Sequence, residues 1–220
     1  MVEEQDTMDR ARQPLTRTLI LETGIAIADA ESIDAVTMRR VGAALGVQAM
    51  SLYNHVANKR DLLDGMAAHL IAQFAQVESP SSHWKDVCRA VGQAYHQLGR
   101  DHPALFPYVI ERPFGDAASL AALDGLFGVL RHAGFSAGAT YLAFITLTSF
   151  VEGFTLDEIT RRTGPALGDP IRNPMAAGNL ATAHPLVFEV LGAGMVPNDA
   201  AFDRCLEVVL DAMESLMTMA

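Results

Sequence analysis

Apolar residues recur at helical spacing along most of the chain, and no stretch alternates in the manner of a strand. Leu21, Gly24, Ile25 and Ala28 fall on one face of a helix from Thr16 to about Ala30, and Ile33 and Val36 pin the turn that follows. Thr37 is a good N-cap for a short helix through Leu45, with Val41, Ala44 and Leu45 inward. Gly46 ends that helix, because glycine enters the left-handed region without a side-chain clash. A second short helix, about Ala49 to His55, turns Leu52 inward, with Val56 just beyond it. Asn58 caps the next helix, Asp61 favours its positive end, and an apolar series carries it to about Phe74.

The run Ser79–Ser82 reads as a linker. Beyond it the spacing predicts helices over about Trp84–Gly99, Pro103–Val109, Asp116–Ala133, Ser136–Arg162, Pro185–Leu191 and Asn198–Met217. A long loop rich in Gly, Pro and Asn fills residues 164–183. The uncharged run His132–Val151 becomes helical only near Ser136 and falls short of the roughly 20 apolar residues that a bilayer span needs. It reads as a buried helix, and no membrane association is expected. The fold class is therefore all-α. A disordered tail (1–14) precedes a small three-helix domain (15–62) and a larger helical domain (63–220).

With 220 residues, half of them hydrophobic, the chain can bury a sizeable core. Cys88 and Cys205 are too few for a disulfide framework and read as buried small hydrophobes in a reduced, cytoplasmic protein. The acidic N-terminus has no signal-peptide character. The net charge of −10 argues against nucleic acid until its distribution is considered. Arg39, Arg40, Lys59 and Arg60 lie in a stretch, Ala35 to Arg60, that has no acidic residue, whereas acidic residues predominate from Asp61 onward. A local basic patch on an acidic chain suits a DNA reader with a separate sensing domain. Taken alone, a solvated cationic face explains the same four residues equally well.

Two short helices joined by a tight glycine turn and braced by a third make a helix-turn-helix. Leu52 and Val56 anchor the recognition element, while Gln48, Ala49, Ser51, Tyr53, Asn54 and His55 are left to reach bases and phosphates. Arg39, Arg40 and Lys59 flank it as phosphate-positioning cations.

The continuous run from Thr37 to Leu63 resembles the DNA-binding domain of the tetracycline repressor (TetR) family. Three features carry the likeness: Leu45-Gly46-Val47 at the turn, Leu52-Tyr53-Asn54-His55-Val56 in the recognition element, and Asn58-Lys59-Arg60-Asp61-Leu62-Leu63 at the next helix. The resemblance implies phosphate contacts from Thr37, Tyr53, His55 and Lys59, and a guanine contact from Arg39. Gln48, Ala49, Met50 and Ser51 stand where the family varies its base contacts. Met50 replaces a small or rigid residue of the tetracycline-repressor branch, and Asn54 replaces a bulky aromatic, so the operator sequence does not carry over.

The resemblance continues more faintly through Trp84, Arg112-Pro113 and Gly134-Phe135-Ser136. It implies a homodimer closed by a four-helix bundle, a palindromic double-stranded DNA operator, and a small-molecule effector that releases the protein from it. Residues Leu142–Phe154 and Phe202–Met217 support the dimer independently, being more apolar than one subunit needs to bury. Val91, Tyr95, Val109 and Asp124 match pocket-lining positions, and Phe127, Thr148 and Glu152 are expected beside them. Ordinary core packing is the competing account of Val91 and Val109, and a solvated rim that of Asp124. The apolar stripe of the Asp116 helix is read as Leu120, Leu123, Phe127 and Leu130. A tetracycline is not implied, because most polar residues that hold that drug and its metal are replaced. His96, Asp101 and His102 are spaced poorly for a shared metal, and no catalytic signature occurs, so neither cofactor nor enzymatic activity is expected. Two other readings stay open: a helical enzyme using Tyr95, Asp124 and Glu152, and a DNA binder that senses nothing.

Overall fold

The computed structural model describes residues 14–74, 82–112, 117–163, 180–192 and 199–218. The N-terminal tail, the Ser79–Ser81 part of the linker, Pro113, and residues 164–179 of the expected long loop lie outside the described residues. Every element longer than a turn among the described residues is helical.

Helix α1 (Arg17–Ala30) starts where the Thr16 hydroxyl accepts the Leu19 N–H at 3.2 Å. All four residues of the expected inward face are buried, together with Ile20 and Ile27. Helices α2 (Met38–Ala44) and α3 (Ala49–Leu52) follow, and α4 (Lys59–Phe74) lies against α1. The recognition element is shorter than the spacing predicts: α3 ends at Leu52, and 53–55 form a turn.

In the second half, α5 (Trp84–Asp101), α8 (Ala137–Thr163) and α11 (Asp199–Glu214) pack together, α7 (Ala117–His132) leans on α4, α5 and α8, and the short α6 (Phe106–Glu111) packs against α4. Helix α6 begins later than expected, after a turn at 103–105. Pro107, in its first turn, occupies the place where a missing N–H costs nothing. Two short helices, α9 (Leu180–Ala183) and α10 (Pro185–Gly192), precede α11, and α9 occupies the end of the expected loop.

Helix α8 spans 27 residues, longer than the run counted from sequence, and by length and composition alone it is long and apolar enough to cross a bilayer. Its Ala143, Leu147, Val151, Thr155 and Glu158 are buried inside the protein, while other residues of the same apolar window, Tyr141 and Leu142 among them, are exposed.

There are two cores. One gathers α1–α4 and also Leu98, Leu105, Phe106 and Val109 from the second half. The other joins Trp84 and Cys88 of α5, Leu147 and Val151 of α8, and Phe202, Leu206 and Leu210 of α11. Cys88 is buried, and desolvation pushes its thiol up to about 12. Cys205 is exposed, against expectation: the buried stripe of α11 runs through Phe202, Leu206, Leu210 and Met213, and Cys205 sits off that face.

Candidate nucleic-acid interface and effector cavity

The turn between α2 and α3 is built by two glycines. Gly46 has φ +69°, a conformation that L side chains rarely adopt. At Gly42 the helices cross so closely that a Cβ would lie 3.0 Å from the Val47 carbonyl and 3.2 Å from the Ala49 nitrogen. The Thr37 hydroxyl caps α2 by accepting the Arg40 N–H at 3.1 Å. Leu52 and Val56 are fully buried beneath the recognition element.

Above those anchors, Met50 (72% exposed), Tyr53 (47%), Gln48 and Asn54 face solvent, while Ala49, Ser51 and His55 are partly covered. Arg39 and Lys59 are exposed and make no ion pair among the described residues. Arg40 differs. Its Nε and Nη2 both donate to Glu31 Oε1, at 3.0 and 2.6 Å, so its charge is already neutralised. The charge pattern alone does not separate Arg40 from Arg39, because Glu31 lies outside the acid-free window.

A clamp that local reading missed holds this surface in place. Arg17 donates to the His55 carbonyl at 2.6 Å and to both oxygens of Asp61 at 2.7 and 3.2 Å. Asp61 also accepts the Ala57 N–H at 2.7 Å, and its own N–H donates to the Asn58 side chain at 3.0 Å. The Arg17 guanidinium, helped by the Ala57 N–H, holds the Asp61 carboxyl below the usual carboxylate range. One ion pair thus ties the end of the recognition segment to α1 and α4. Its partners lie 44 residues apart, which no local pattern reveals.

Beneath this unit a cavity of about 370 Å³ opens between α4, α5, α6, α7 and α8. Val91, Tyr95, Val109, Thr148 and Glu152 line it, as expected. Asp124 and Phe127 do not line it: Asp124 is exposed, and Phe127 stands edge-on to Phe144 with centroids 5.4 Å apart. The cavity face of α7 is Ser119, Ala122, Leu123, Leu126 and Val129, so the real stripe is rotated by about one residue from the predicted one. Leu120, assigned to that stripe, is 53% exposed. Ile71 of α4 and Arg112 of the α6 end, neither expected, also reach the cavity.

The cavity is mostly apolar. The Tyr95 hydroxyl donates to Glu152 Oε1 at 3.1 Å, and the Thr148 hydroxyl is turned back onto the Phe144 carbonyl at 3.0 Å. Burial pushes the Glu152 carboxyl above its ordinary range, with the Tyr95 hydroxyl working against the shift. Tyr95 is likewise pushed up by burial, so its phenol stays a donor.

His96, Asp101 and His102 point to different places. His96 is buried, with Nδ1 2.9 Å from the Thr155 hydroxyl. Asp101 accepts from Gln97 at 2.7 Å, and His102 meets Asp29 of α1 at 2.8 Å. No metal-holding group of His, Cys, Asp or Glu occurs among the described residues.

Comparison with known proteins agrees with this anatomy. Residues 20–66 match the family model for bacterial regulatory proteins, tetR family, and residues 78–217 match that for the tetracyclin repressor-like C-terminal domain. The chain is 27% identical to the HTH-type transcriptional repressor DrrR1 of Streptomyces coeruleorubidus, covering 92% of this chain and 78% of that one. It is also 27% identical to the class A tetracycline repressor protein from transposon 1721 of Escherichia coli, over 88% of each. The crystal structure of the Streptomyces coelicolor TetR family protein ActR in complex with actinorhodin shares the fold, with TM-score 0.76 at 23% identity, covering 94% of this chain and 100% of that one. The chain belongs to the tetR family of bacterial regulatory proteins and is a transcriptional regulator with a tetracyclin repressor-like C-terminal domain.

Proposed function

We propose that two copies of the chain bind a palindromic operator in the cytoplasm, that a small molecule entering the cavity releases them, and that no catalytic step is involved. The reader spans about residues 15–62 and the sensor 63–220, with α4 shared between them. One observation carries this reading. Helix α4 runs unbroken from Lys59, beside the recognition segment, to Ile71 in the cavity wall. A ligand that repositions the far end of α4 also repositions the turn that Arg17 and Asp61 hold.

In this reading α3 enters the major groove. Gln48, Ala49, Met50, Ser51 and Asn54 meet base edges, and Thr37, Tyr53, His55 and Lys59 meet phosphates. Arg39 reaches a base. A second copy covers the apolar surface left open on one chain, where Tyr141 is 61% and Val208 69% exposed. Ligand then favours a dimer whose recognition helices no longer match successive major grooves, about 34–36 Å apart. ActR, crystallised with actinorhodin, supports the binding of a small molecule by likeness of fold.

The test is selection of genomic fragments by the purified protein under excess non-specific competitor. Enrichment of one inverted repeat, bound with salt-sensitive affinity, is the expected result. Recovery of unrelated sequences would overturn the specific-reader reading.

A further inference from the structure

Helix α8 carries two carboxylates on its inner side, and the protein treats them differently. Glu158 has two cations beside it, Arg100 Nε at 3.6 Å and Arg162 at 4.0 Å, and the His96 ring, whose charged form burial disfavours, at 3.3 Å. Glu152, two turns earlier, has no cationic partner among the described residues. Its Oε1 accepts from Tyr95, and its other oxygen takes no hydrogen bond from those residues. Arg112, the cation lining the same cavity, acts on Tyr108, with which it also lines a second cleft, and is not among the groups acting on Glu152.

A half-buried carboxylate with no counter-charge is costly, and a glutamine or leucine of similar size would remove the cost. Tyr95 spends its hydroxyl on fixing one oxygen, which orients the group without neutralising it. The same cavity is lined by Val91, Leu126, Val129 and Leu147 and by two aromatic residues, Phe144 and Tyr95, of the kind that attracts positive charge. The volume, about 370 Å³, suits a drug-sized molecule.

We propose that the effector is a lipophilic organic cation, an apolar and partly aromatic body bearing a protonated nitrogen, seated with that nitrogen on the free side of Glu152. This rests on the reading of the cavity as the effector site. The charge-assisted contact replaces the missing counter-ion, and the apolar walls hold the body.

The probes are three compounds of one shape: naphthylpropylamine, naphthylpropanol and naphthylbutyrate. Binding to the full-length protein is read by calorimetry and by the rise in melting temperature at neutral pH. The amine is expected to bind about tenfold or more tightly than the alcohol, and the carboxylate least. In Glu152→Gln, whose fold is checked by circular dichroism, the amine's advantage disappears while the alcohol binds as before. Tyr95→Phe, which frees one Glu152 oxygen, retains the preference. Equal binding of amine and alcohol, a preference for the carboxylate, or a preference that survives Glu152→Gln overturns the cation assignment and leaves the cavity as an effector site. If none of the three binds at millimolar concentration, the cavity reading falls with it.

Discussion

At the scale of single residues, similar side chains have been given different work. Arg39 and Arg40 are neighbours of equal charge, but Arg40 is held by Glu31 and Arg39 has no ion-pair partner among the described residues. Arg39→Ala should weaken operator binding by roughly 1–3 kcal/mol per protomer and relax the choice of the base it contacts. Arg40→Ala should cost less, and fluorescence anisotropy on the operator and on single-base variants of it separates the two. Glu152 offers a pH test. Its folded-state carboxyl lies above the ordinary range, so the folded chain holds the proton more tightly than the unfolded one. The folded state is therefore favoured below the ordinary carboxylate range and loses that advantage as pH rises from there to the raised value. Glu152→Gln should accordingly raise the melting temperature of the effector-free protein at neutral pH, and the difference should vanish in acid. Equal melting temperatures at neutral pH would contradict this account. The recognition surface was legible at this scale because its residues are contiguous from Thr37 to Lys59. Arg17, Glu31 and Arg112 were not, because their roles depend on partners or cavities that only the tertiary fold brings near.

At the scale of elements, the joint between reader and sensor is α6 inserted beside α4. Phe106 is fully buried in the core of α1–α4, while its ring lies 5.3 Å from that of Tyr95, a cavity residue. Phe106→Ala should cost roughly 3–5 kcal/mol, mainly from the cavity it leaves. A denaturant titration measures this. Phe106→Leu should cost about 1 kcal/mol and fold, but weaken the coupling between cavity and operator. Helix existence was readable from periodicity except for the short α9, which falls in the expected loop, and caps such as Thr16, Thr37 and Ser136 fixed starts well. Ends and phases were harder. The recognition helix stopped at Leu52 because the following residues close a turn onto Leu52 and Met50 carbonyls. The α7 stripe was misphased because exposed Leu120 and half-buried Leu123, three residues apart and so neighbours at the edge of the cavity face, look alike in sequence.

At the scale of the molecule, the net charge of −10 is unevenly spread: four of the sixteen lysines and arginines, Arg39, Arg40, Lys59 and Arg60, lie in a segment with no acidic residue, which suits it to DNA. The all-helical fold and the division into reader and sensor follow from pattern and motif. Where ligand fits depends on how five helices meet, which sequence spacing describes poorly. The central claim is that cavity and recognition segment are coupled through α4 and α6. Coupling is reciprocal in binding free energy. The direct test is operator affinity of the purified protein, by anisotropy, with and without saturating amounts of any compound that raises its melting temperature. A loss of affinity of about tenfold or more, matched by an equal loss of compound affinity on operator-bound protein, is the expected result. Operator affinity that stays unchanged at saturation would contradict the account.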